Sequence, residues 1–159
     1  YSWILAPIRS NSGHVVAKFC VFFSQLENEN QQVGAGMVGD LEIPLEPMEF
    51  LNGLKAKMNA KCIRHTQLTD RKIKRVAVCG GAGSFLLPQA IAAGVDVFVS
   101  SDFKYHEFFD ADHKIIVADI GHYETEQFTK QLLAEVLSKN FTTFTTSFSR
   151  SNTNPISYF

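Results

Sequence analysis

From Ile73 to Asn140 short apolar runs alternate with stretches of helical spacing, and this alternation restricts the fold more than any other feature of the chain. Ile73 to Cys79, Val95 to Ser100 and Lys114 to Ile120 read as strands. Between and after them, Phe85 to Ala93, Phe103 to Ala111 and the long run from Gln127 to Asn140 read as helices, with Phe141 to Phe148 as a closing strand. Strands separated by helices need crossover connections, which are right-handed, so the pattern predicts an α/β fold on a mainly parallel sheet. Upstream, Pro47 suits a first helical turn, and Phe50, Leu51, Leu54 and Met58 follow at helical spacing, which predicts a helix over Pro47 to Asn59. Val15 to Ser24 reads as a short strand ahead of the polar connector LENENQQ, and Cys62 to Arg71 is polar with room for a short strand.

Composition sets the class. A chain of 159 residues, 45% hydrophobic and 19% charged, has room for one ordinary domain, or for a domain plus a short appendage. Its formal net charge of -1 argues against a protein that grips nucleic acid with a broad basic surface. No run approaches the roughly 20 apolar residues of a membrane span, and the start lacks the pattern of a signal peptide. Cys20, Cys62 and Cys79 are odd in number, widely spaced and without CxxC spacing, so neither a disulfide framework nor a zinc knuckle is indicated. The expectation is a soluble, cytoplasmic protein with no membrane partner.

Chemistry concentrates where strands end. GHYETE follows the apolar run Ile115 to Ile120, and His122 and Glu126 stand four residues apart, on one face if both lie in a first helical turn. Imidazole and carboxylate at this spacing offer a metal two ligands from one rigid element, although the same pair also occurs on solvated helix faces. Asp119 and Glu124 either add to the site or act as caps. One strand earlier, SSDFKYH places Asp102 and His106 at the same separation, with Asp102 where a helix cap is common. CGGAGS, Cys79 to Ser84, is a glycine turn between strand and helix. It suits either an anion cradle of backbone N–H groups or a tight turn with close helix packing, and it lacks the Lys-Ser/Thr ending of a Walker A loop. Gly34, Gly36 and Gly39 in VGAGMVGDLEI resemble a dinucleotide fingerprint, but LEIPLEP follows where a helix should open, so a bulged strand is expected there.

The runs LENENQQVGAGMVGDLEIPLEPMEFLNGLKAKM, KRVAVCGGAGSF, AIAAGVDVFVSSDFKYHEFFDA, IIVADIGHYETEQF and SNTNPISYF together resemble the C-terminal part of the Nif-three-like family, also named after GTP cyclohydrolase 1 type 2. The resemblance implies a three-layer α/β domain over residues 34–159. It implies an N-terminal segment, 1–33, that includes the last strand of an insertion domain around Val15 to Gln25. It further implies a homo-oligomer, a toroidal hexamer, with two divalent metal ions in each complete subunit; zinc, iron and manganese are not distinguished. The activity implied is metal-dependent hydrolysis of a nucleotide, in which activated water opens a guanine ring. In the family motif Gly-His-x-x-Ser/Thr-Glu the histidine and glutamate bind metal, and they fall on His122 and Glu126. The motif Thr-Gly-Asp-x-x-x-His falls on Asp102 and His106, with Ser100 and Ser101 in place of Thr-Gly. His106 is then the candidate proton donor or acceptor for substrate, and Asp102 lines the site. Gly81, Gly83 and Ser84 of the glycine turn are the residues we expect to hold a substrate phosphate. The family's other metal ligands belong to an N-terminal half with no matching run here, so the chain is expected to be a C-terminal portion with an incomplete dinuclear centre.

Two other classes compete with the hydrolase. A metal-binding ring used as a scaffold would retain metal without turnover. A ring that passes nucleic acid would need cations, and Lys55, Lys57, Lys61, Arg64, Arg71, Lys72, Lys74 and Arg75 make one region basic. Such a cluster is more often a solvated face, which makes nucleic acid the lesser expectation.

Overall fold

The structure, a computed structural model, describes residues 35–143 and 145–159 together with the backbone of Lys18–Phe22. Six strands form one sheet: β1 (Lys18–Phe22), β2 (Gly36–Leu45), β3 (Arg64–His65), β4 (Ile73–Ala82), β5 (Val97–Ser101) and β6 (Ile116–Asp119). Across the sheet their order is β1-β2-β4-β5-β6-β3. The centre, β4-β5-β6, is parallel as the alternation requires. Antiparallel strands extend it on both sides, β1 on β2 and β2 on β4 at one edge, β3 on β6 at the other.

Continuous apolar runs suit parallel strands because both faces are covered. Val76, Val78, Val97, Val99, Ile116 and Ala118 point to one face, where they meet Phe50, Leu51, Leu54 and Met58 from helix α1 (Pro47–Lys57) and its end. Ala77, Cys79, Phe98 and Val117 point to the other. There they meet Leu86 of the 3-10 turn Ser84–Leu86, Leu87 and Ala90 of helix α2 (Leu87–Ala92), and Phe103 and Ala111 around the 3-10 turn Tyr105–Ala111. This is the three-layer arrangement expected. The glycine run ahead of α1 is strand β2, with a register irregularity between Asp40 and Leu45, in keeping with a bulged strand.

The helix expected from Gln127 to Asn140 is α4 (Thr129–Asn140), two residues shorter at its start, and a separate short helix, α3 (His122–Glu126), precedes it. At the break, Gln127 Nε2 donates to the Met58 carbonyl at 2.6 Å and Phe128 packs against the α1 core. Fixing these two residues to the domain turns the chain, and α4 then leaves with none of its residues buried.

Phe141 to Phe148 is not a strand among its described residues, contrary to expectation. Its Thr and Phe content favours strands, yet Phe141 and Phe148 are each more than half exposed, and no sheet edge pairs with the segment. The strand expected over Val15 to Ser24 is β1 and belongs to the same sheet. The remainder of the segment 1–33, and Gly34, lie outside the described residues. No helix among the described residues is long and apolar enough to cross a membrane.

Much of the basic region is engaged in internal contacts. Arg64 pairs with Asp119, Lys72 with Glu46 and Arg75 with Asp40, while Arg71 donates to the Lys114 carbonyl and Lys74 to those of Leu41 and Glu42.

Candidate metal centre

Parallel strands deliver their following loops to one edge of the sheet, so the carboxyl ends of β4, β5 and β6 meet. There the chain brings together Gly81, Ser100, Ser101, Asp102, His122, Thr125 and Glu126. Asp119 ends β6 and holds the corner: its carboxylate accepts from the Phe103 and Gly121 N–H groups, each at 3.1 Å, and pairs with Arg64. This carboxylate caps backbone N–H groups, the second of the two roles the sequence left open. Gly121 then turns with φ +97, a left-handed conformation that favours glycine, and a Cβ there would meet the Glu124 carboxylate.

The turn starts α3 with His122 as its first residue. His122 Nε2 lies 3.3 Å from Glu126 Oε2 one turn later, and Nδ1 lies 2.5 Å from Asp102 Oδ2 at the end of β5. Hydrogen bonding to Asp102 is the main cause that raises the imidazole above its usual pKa, and the Glu126 charge adds to it. All three side chains are about half exposed, with relative accessibilities of 47–49%. Asp102 reaches His122 from a left-handed backbone, φ 59, a conformation aspartate tolerates better than most residues.

Gly81 forms the floor. Its N–H donates to Thr125 Oγ1 at 2.9 Å, and its carbonyl accepts from Ser100 Oγ at 3.0 Å and Ser101 Oγ at 2.7 Å. The serines that replace Thr-Gly therefore tie β5 to the glycine turn. Gly83 is buried against Cys79 and Ser100, and the Ser84 hydroxyl donates to Glu107 at 3.0 Å. These contacts account for the glycine turn as close packing, with the Gly81 N–H engaged by Thr125 rather than open to an anion. Burial raises the Cys79 pKa above its ordinary value, which keeps that thiol protonated and unsuited to nucleophilic attack.

The structure does not bring His106 into the cluster. It is exposed, its ring lies 5.5 Å from that of Tyr105, and no described hydrogen bond joins it to Asp102, His122 or Glu126. Glu124 is buried, one oxygen 3.5 Å from the Tyr158 hydroxyl and the other without a hydrogen-bond partner among the described residues. Sequence reasoning missed the Asp102–His122 bond, whose partners are twenty positions apart, and the Thr125 and Ser101 contacts to Gly81. Thr125 does occupy the Ser/Thr slot of its motif, the one signal that could have revealed it.

The donor chemistry fits part of a metal site. Asp102 on Nδ1 directs Nε2 toward Glu126, the orientation seen when a carboxylate positions a histidine ligand. Among the described residues, no group of three or more His, Cys, Asp or Glu side chains converges as a complete set of ligands. What the described residues bring together is one histidine and one glutamate.

Fold and site thus define an α/β protein with a histidine–glutamate pair at the carboxyl ends of a parallel sheet core. The chain belongs to the Duf34/NIF3 (NGG1p interacting factor 3) family, whose sequence model matches residues 8–155. It is 34% identical over 136 residues to a GTP cyclohydrolase 1 type 2 homolog of Staphylococcus epidermidis, covering 82% of this chain and 37% of that protein. Among solved structures, Staphylococcus aureus hypothetical protein SA1388 superposes with a TM-score of 0.73 at 32% identity, over 79% of this chain and 43% of that one. A Bacillus cereus protein related to NIF3 gives 0.70 at 28% identity, over 84% and 38%. The chain therefore spans well under half the length of these relatives.

Proposed function

We propose that this chain is the C-terminal part of a metal-dependent hydrolase and supplies His122 and Glu126 to a dinuclear centre. The observation that carries the reading is the pair itself: Nε2 and Oε2 face each other at 3.3 Å while Asp102 holds Nδ1 at 2.5 Å. Divalent cations bound there supply Lewis acidity, which polarises the group under attack and lets water act as a nucleophile near neutral pH. His122 and Glu126 hold the cation, Asp102 positions the imidazole, and Gly81 leaves room for both side chains. His106, which is exposed, stays as the candidate proton donor or acceptor for substrate. The remaining ligands come from outside the described residues. The relatives' name supports a nucleotide as the substrate, and the family resemblance supports a hexameric ring in the cytoplasm.

The test is metal content by elemental analysis of the complete protein beside its His122→Ala, Glu126→Ala and Asp102→Asn variants. The first two are expected to abolish bound metal. Asp102→Asn is expected to weaken affinity by about 10–100-fold, the usual effect of removing a carboxylate that positions a metal-binding histidine. Metal content indifferent to His122 and Glu126 would refute the assignment, and full metal without hydrolysis in the complete protein would favour the scaffold.

A further inference from the structure

Helix α3 carries both His122 and Glu126, yet it has only five residues. That is far below the roughly 12–15 that make an isolated helix even marginal in water, so its position is set by what it touches. Toward the sheet, Thr125 Oγ1 accepts from the Gly81 N–H at 2.9 Å and Asp102 holds the His122 ring. At its end, Gln127 Nε2 donates to the Met58 carbonyl. The anchor not yet accounted for is Glu124.

Glu124 is the third residue of α3, where a carboxylate commonly folds back to accept from the N–H just before the helix. Here that N–H, of Gly121, already donates to Asp119 Oδ1 at 3.1 Å. Glu124 is nevertheless only 4% exposed, and its Oε2 has no hydrogen-bond partner among the described residues. Burying a carboxylate with so little compensation is costly, which points to a task for the group. The hydrogen bond it does accept comes from Tyr158, whose hydroxyl stands 3.5 Å from Oε1. Both groups lie against the turn that opens α3: a Cβ on Gly121 would collide with the Glu124 carboxylate and stand 3.2 Å from the Tyr158 hydroxyl.

The residues that bring Tyr158 there are shaped by bonds of their own. Ser149 Oγ accepts from the Ser151 N–H, Asn152 Oδ1 from the Asn154 N–H and Asn154 Oδ1 from the Ile156 N–H, at 3.0–3.2 Å. Side chains that bond the backbone two residues on hold a turn in place, so the segment reaches α3 with little left to order. We propose that residues 149–158 form a strap in which Tyr158 bears on Glu124 and so fixes the Gly121 turn that aims His122 and Glu126. Tyr158 and Glu124 are positioning residues, not ligands, and this role rests on the metal reading of the pair. Release of Tyr158 frees Glu124 and lets the turn relax, so the strap governs how firmly the pair holds a cation.

The experiment uses the complete protein and two readouts. Hydrogen exchange of the peptide 121–128, without metal, reports the mobility of α3, with the α1 peptide 47–57 as control. The rate at which a chelator removes cobalt(II) from the cobalt-loaded protein reports the hold on the cation. Wild type, Tyr158→Phe, Glu124→Gln, Glu124→Ala and the double variant Tyr158→Phe/Glu124→Ala are compared, with His122→Ala as the reference for cobalt content. Tyr158 is 42% exposed, so loss of its hydroxyl leaves the core intact.

Tyr158→Phe and Glu124→Ala are each expected to speed both exchange in 121–128 and cobalt release by about three- to tenfold, the effect of losing one hydrogen bond. Tyr158→Phe should add nothing in the Glu124→Ala background, because both remove the same contact. Glu124→Gln keeps an oxygen for the hydroxyl and should stay near wild type. Exchange in α1 should not change. Unchanged exchange in Tyr158→Phe, or additive effects in the double variant, would overturn the strap. Faster exchange with unchanged cobalt release would make the contact merely structural and overturn the positioning role. No bound cobalt, or cobalt content indifferent to His122→Ala, overturns the metal reading instead, and the exchange rates alone then decide the strap.

Discussion

At the scale of single residues, Gly81 connects the parts of the site. Its carbonyl receives two serine hydroxyls from β5, its N–H goes to Thr125 of α3, and its Cα faces His122 and Glu126. The backbone there has φ +67, and a Cβ would stand 2.8 Å from Glu126 Oε1 and 3.3 Å from His122 Cε1. Gly81→Ala therefore combines a left-handed alanine, costing about 1–2 kcal/mol, with displacement of the Glu126 carboxylate. The expected outcome is a lower urea midpoint together with weaker metal binding, read by circular dichroism and by metal titration. Loss of stability with unchanged metal affinity would mean that Glu126 moves aside without consequence, contrary to the ligand role proposed for it.

At the scale of elements, the sheet is joined by side chains as well as by its ladder. Asp40 of β2 stands opposite Arg75 of β4, with Nε to Oδ1 at 2.8 Å and the second nitrogen to Oδ2 at 3.1 Å. This bidentate bond is the main cause that holds the Asp40 carboxyl below its usual pKa. A depressed folded-state value stabilises above the unfolded pKa of about 3.9, and the contribution disappears as pH falls through the folded value. Urea unfolding followed between about pH 7 and pH 3 should thus show a shallower acid loss in Asp40→Asn than in wild type. Equal slopes would remove the pair from the acid response. The elements were legible in the sequence to differing extents, for a physical reason. β4, β5 and β6 announce themselves because strands covered on both faces must be apolar throughout, and α1 does so because its buried positions recur at helical spacing. His122 and Glu126 were legible because their spacing is local. By contrast, the break at Gln127 depends on the Met58 carbonyl, and the failure of Phe141 to Phe148 to form a strand depends on the lack of an available edge. Both are decided by distant parts of the chain that no local pattern records. The Asp102–His122 bond is hidden for the same reason, since it spans two strand–helix units.

At the scale of the whole molecule, the two cores are two faces of the same strands. Along β5, Val97 and Val99 enter the cluster under α1, while Phe98, between them, enters the cluster under α2. Neither face can lose its packing without releasing the strands that the other requires, and the histidine–glutamate pair follows from the ends of those strands. One cooperative unfolding transition is expected, reported alike by far-ultraviolet circular dichroism and by tyrosine fluorescence. Ile116 and Phe98 are both fully buried, on opposite faces. Ile116→Val should lower stability by about 0.5–1.5 kcal/mol and Phe98→Ala by about 3–5 kcal/mol, each moving the whole transition rather than splitting it. Bound divalent metal should raise the same midpoint, because ligands at strand ends stabilise only the assembled sheet. Two separated transitions in Phe98→Ala would show that the α1 face stands on its own. In that case metal should still stabilise the surviving transition only if β5 and β6 remain paired, since Asp102 and His122 reach the site from those two strands.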